Sequence, residues 1–67
     1  AMDSEYARHR IYLTLLEKPM SVKMLSERLD MEPQRVLEHI VVMWTRGWVD
    51  IQEIQGSSPI YKSLEMV

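Results

Sequence analysis

The spacing of apolar and polar positions changes its period once along this chain, at Gly47. Before that glycine the spacing is helical. Ile11 and Leu15 stand four apart, as do Tyr12 and Leu16, which predicts one broad apolar face on a first helix running from Asp3 to Lys18. Asp3 and Ser4 can cap its start. Lys18-Pro19 stops it, because proline disfavours the α region for the residue before it. Ser21 is the expected N-cap of a second helix to about Leu29, with Val22, Leu25 and Leu29 on one side and Lys23, Glu27 and Arg28 on the other. Pro33 fits the first position of a third helix that reaches about Arg46 and closes at Gly47, where a left-handed residue ends the last turn. Beyond Gly47, Val49 and Ile51 alternate with Asp50 and Gln52. Gln55-Gly56-Ser57-Ser58 then supplies turn chemistry, and Ile60, Lys62 and Leu64 restore a period of two. Pro59 opens the second strand, where its missing donor does least harm. The expected fold is mainly α with a small β-hairpin, in the order H1-H2-H3-S-S.

Composition narrows the picture without changing it. At 67 residues, 46% hydrophobic and 27% charged, the chain is expected to form one domain, 1-67, whose core is small enough that every apolar helix face matters. Ala1 before Met2 reads as a cloning scar. With no cysteine, neither a disulfide framework nor a thiolate zinc site can staple the fold. The chain has no run of eighteen apolar residues and no signal-peptide pattern, so a soluble, cytoplasmic protein without membrane contact is expected. Eight Lys and Arg against ten Asp and Glu leave a net charge of −2, which disfavours tight nonspecific binding to nucleic acid. Catalysis finds no support. His9 and His39 lack ligand spacing, Ser57-Ser58 lacks a base, and only Gly47 and Gly56 are glycine. No enzyme activity, metal or cofactor is therefore expected.

Leu25, Leu29, Val36, Ile40, Met43 and Gly47-Trp48-Val49, followed by a hairpin ending Pro59-Ile60-Tyr61, resemble the winged-helix division of the helix-turn-helix proteins over roughly Tyr6 to Leu64. The resemblance implies a three-helix core with a C-terminal wing. Its function is open, because this architecture serves DNA-binding regulators and protein-interaction modules alike. The wing is also similar to that of Z-nucleic-acid readers. Those carry an Asn and, four residues on, a Tyr on the third helix; Leu37 and Val41 occupy these places here, and the chain has no Asn.

Plotted at 100° per residue, Met43, Val36, Ile40, Trp44, Leu37 and Val41 span about 160° of the third helix, against the roughly 100° that a core-facing stripe needs. Two readings follow. In the first, implied by the resemblance, the helix enters the major groove of double-stranded DNA as part of a dimeric transcription regulator. Gln34, Arg35, Glu38 and His39 then face bases, while Lys23, Arg28, Arg46 and Lys62 face phosphates. In the second, Leu37, Val41 and Trp44, or Val42, are buried against a second copy or another protein chain with no direct DNA contact. Blander readings stand beside both: solvated arginines on a helix exterior, Trp44 and Trp48 closing the core between helix and hairpin, and methionines filling gaps in the core. Exposure of Leu37, Val41 and Trp44 distinguishes these possibilities.

Overall fold

A computed structural model describes residues 4–65. Its elements are α1 (Ser4–Glu17), α2 (Val22–Leu29), α3 (Pro33–Thr45), β1 (Val49–Gln55) and β2 (Ser58–Ser63). The expected order H1-H2-H3-S-S is the observed one. The two strands form an antiparallel hairpin, and the whole is compatible with a winged-helix topology. The Asp3 cap, Met2 and Met66 lie outside the described residues.

Local chemistry sets the boundaries. Ser21, extended at φ −81° and ψ 169°, caps α2 by accepting a hydrogen bond from the Met24 amide at 3.2 Å. At the other end of α2, Asp30 takes the left-handed conformation (φ 56°) and the Met31 amide reaches back to the Ser26 carbonyl at 3.1 Å. Pro33 begins α3 where an amide would have no helical partner. The end of α3 is a Schellman closure. Gly47 turns at φ 79°, its amide bonds the Trp44 carbonyl at 3.0 Å, and the Trp48 amide bonds that of Met43 at 2.9 Å.

The core gathers Ile11 and Leu15 from α1, Leu25 and Leu29 from α2, Val36, Ile40 and Met43 from α3, and Val49 and Tyr61 from the hairpin. Met20 joins it from the α1–α2 connection and also exchanges two backbone hydrogen bonds with Tyr61, at 2.9 and 3.0 Å. This isolated bridge pins β2 to the helices. The far end of β2 is tied as well: the Tyr12 hydroxyl donates to the Leu64 carbonyl at 2.7 Å, and the Ser63 hydroxyl donates to that of Tyr12 at 2.8 Å.

Three expectations need correction. The apolar face of α1 is narrower than its spacing suggested, because Leu16 is exposed while Ile11 and Leu15 are buried. Trp48 packs on the core as expected, but Trp44 does not close it; its ring meets Tyr61 edge-on at 6.4 Å and the residue stays 44% exposed. Strict alternation in the hairpin fails too. A register shift between Ile51 and Glu53 sets Ile51 opposite Tyr61 but Ile54 opposite Pro59. Cross-strand partners share a face, as do residues two apart on one strand. Ile51, Ile54, Pro59 and Tyr61 therefore all lie on the same face of the hairpin.

Candidate functional site

Helix α3 has two apolar flanks with different fates. Val36, Ile40 and Met43 are each 0% exposed, whereas Leu37, Val41 and Trp44 are 43%, 48% and 44% exposed. Their spacing of four and three residues aligns the exposed three as one stripe. Through the Trp44 to Tyr61 ring contact, the stripe meets the hairpin face that carries Pro59 and, directly across from it, the exposed Ile54. Each of these side chains alone would be unremarkable on a protein surface. Three on one stripe of a single helix form an apolar surface larger than any one of them, whereas Tyr61, between that stripe and Ile54, is itself buried. Val42, by contrast, is half-buried on the opposite flank. Ile54 was missed from sequence because alternation alone places it on the other side of its strand from Ile51.

The four residues expected to face bases divide. Gln34, Arg35 and Glu38 are exposed and line one shallow recess together with Glu32, so two carboxylates sit beside the single guanidinium. His39 is half-buried beside this group. Its pKa is lowered from 6.5, first by burial, then by the positive charge of Arg8 on α1 and of Arg35, against an opposing pull from Glu38. At neutral pH it is an uncharged ring, able to hydrogen-bond but not to offset a phosphate.

Cations expected at phosphates do not converge on one face. Lys23 and Arg28 lie on α2, and Arg28 pairs with Glu17 of α1 at 3.4 Å, both side chains exposed. The Arg46 guanidinium sits 5.4 Å from the centre of the Trp48 ring, on the α1 side of α3. Lys62 faces Asp50 across the hairpin, on the face opposite Pro59 and Tyr61. The tip, from Gln55 to Ser58, is exposed and carries no charge.

Among the described residues, no group of three or more His, Asp or Glu is placed to hold a metal ion, and no helix is long and apolar enough to cross a membrane. No protein-family model matches the sequence, and no curated protein matches it either.

Proposed function

We propose that this chain is a winged-helix interaction module that works by burying Leu37, Val41 and Trp44 of α3 against another polypeptide, in the first instance a second copy of itself. The observation that carries this reading is the exposure of those three side chains beside a core that Val36, Ile40 and Met43 already close. Their four-then-three spacing is that of a two-helix seam. About an axis level with the Ile40–Val41 peptide, an antiparallel pair of α3 helices sets Leu37 of one copy against Trp44 of the other, so the stripe is complementary to itself. The chain's small net charge, −2, puts little repulsion in the way.

Sedimentation velocity over a broad range of concentration tests the idea. A reversible dimer is expected, and Leu37→Ser with Trp44→Ser is expected to leave a folded monomer. A wild-type chain that stays monomeric throughout overturns self-association.

A second reading, a DNA-binding domain of the transcription-regulator type, is favoured by the exposure of Gln34 and Arg35 in the first turn of α3, where side chains of such a helix meet base edges. Against it stand the dispersed cations and the acidic recess. If it holds, binding to mixed-sequence duplex in an anisotropy titration falls steeply with salt, and Arg35→Ala weakens it by about tenfold or more. Absence of binding at low salt eliminates it.

A further inference from the structure

On the flank of α3 away from Leu37 and Trp44, α1 between Glu5 and Leu13 and the residues around Gly47 enclose an open cleft of about 350 Å³. Tyr12 and Leu13 of α1 and Trp48 form its apolar walls; Arg8 and Arg46 supply positive charge, with Glu5 and His9 also at the lining. We propose that this cleft binds a small planar aromatic carboxylate, its ring against Tyr12, Leu13 and Trp48 and its carboxylate paired with the guanidinium groups of Arg46 and Arg8.

Four observations converge on that chemistry. The volume falls at the lower end of sites for small organic ligands, which are largely apolar with a few placed polar groups. Arg8 lines the cleft and is half-buried there, so its charge acts on an anion through less solvent than that of a fully exposed side chain. Arg46 holds its guanidinium carbon 5.4 Å from the centre of the Trp48 ring, beside the apolar wall, and a carboxylate matches the donor fork of an arginine with two parallel bonds. Tyr12 is held by its 2.7 Å hydrogen bond to the Leu64 carbonyl, so one wall is set before any ligand arrives. Two guanidinium groups against the one carboxylate of Glu5 favour a singly charged anion.

The place matters as much as the chemistry. Arg46 and Trp48 flank Gly47, the left-handed link between α3 and β1, so a ligand held there braces the helix against the hairpin from behind the exposed stripe. The proposal does not depend on what α3 binds.

Titration of ¹⁵N-labelled protein with indole-3-carboxylate, followed by amide and indole N–H resonances, tests it, with indole-3-carboxamide and inorganic phosphate as controls. Saturable shifts at Tyr12, Leu13 and Trp48 are expected, with a Kd on the order of 1 mM or tighter. Both controls are expected to bind at least about tenfold more weakly, because each lacks either the charge or the ring. Arg46 and Leu13 are exposed, so Arg46→Gln and Leu13→Ser keep the fold, which an unchanged thermal melt verifies; each is expected to weaken the carboxylate about tenfold. Shifts that do not saturate, shifts centred on Leu37 to Trp44, equal binding of the carboxamide, or indifference to Arg46→Gln each overturn the proposal.

Discussion

The two flanks of α3 differ little in composition and completely in environment. Val36, Ile40 and Met43 vanish into the core, while Leu37, Val41 and Trp44, one step around the same helix, remain between two-fifths and one-half exposed. Hydrophobicity is what both share; the difference is how much surface the rest of so short a chain can cover. Helix α1, helix α2 and the hairpin together close one flank and reach only the edge of the other, through Tyr61. A flank that the chain cannot cover, on a helix whose other flank is closed and whose C-terminus is capped at Gly47, holds apolar side chains whose loss costs little folding stability.

Substitutions sharpen this contrast in order of expected size. Ile40→Ala, on the closed flank, opens a cavity in a fully buried site and is expected to cost about 2–5 kcal/mol, a large share of what so small a domain possesses. Urea unfolding measures it. Gly47→Ala, at the point where α3 gives way to the hairpin, meets no atom within 4 Å, so its expected cost of about 1–2 kcal/mol comes from the left-handed backbone alone. Leu37→Ser, on the open flank, is expected to cost less than about 1 kcal/mol in the same urea experiment while shifting the sedimentation profile toward monomer. Should Leu37→Ser destabilise the monomer as much as Ile40→Ala, the distinction between the flanks collapses.

The smallest effect lies at the rim of the closed flank. Because folding lowers the pKa of His39, the unfolded chain takes up that proton first as pH falls below 6.5. Stability from this residue is therefore intact above pH 6.5 and declines as pH drops toward the lower folded value. His39→Gln is expected to flatten that part of the stability profile, read as thermal midpoints between pH 7.5 and 5.5; an unchanged slope means that His39 keeps its ordinary pKa.

Much of the architecture was legible in the residues themselves. Ser21 capped the helix it was expected to cap, Pro33 opened α3, Gly47 closed it in a left-handed turn, and Gly56 turned the hairpin at φ 60°. Each works through a local rule, in which one residue's own backbone freedom or hydrogen bond decides the outcome. The excess width of the apolar arc on α3 was legible too, since helical geometry converts spacing directly into angle. Asp30 was harder to foresee, because a left-handed aspartate stands where glycine is the usual choice.

The sequence by itself determined the order of elements, the Ser21 and Gly47 caps and the presence of more apolar surface on α3 than an ordinary core stripe needs. Tertiary structure alone decided which part of that surface stays open, because burial depends on what distant segments bring to each flank. It decided that Trp44 rests against Tyr61 while remaining 44% exposed, and that Met20 pairs with β2 across forty residues of chain. It also decided, through one bulge near Gln52, that Ile54 joins the face of Pro59 and Tyr61. A single extra residue in a strand reverses the side on which every later side chain emerges, and alternation read along the sequence carries no mark of where that residue falls.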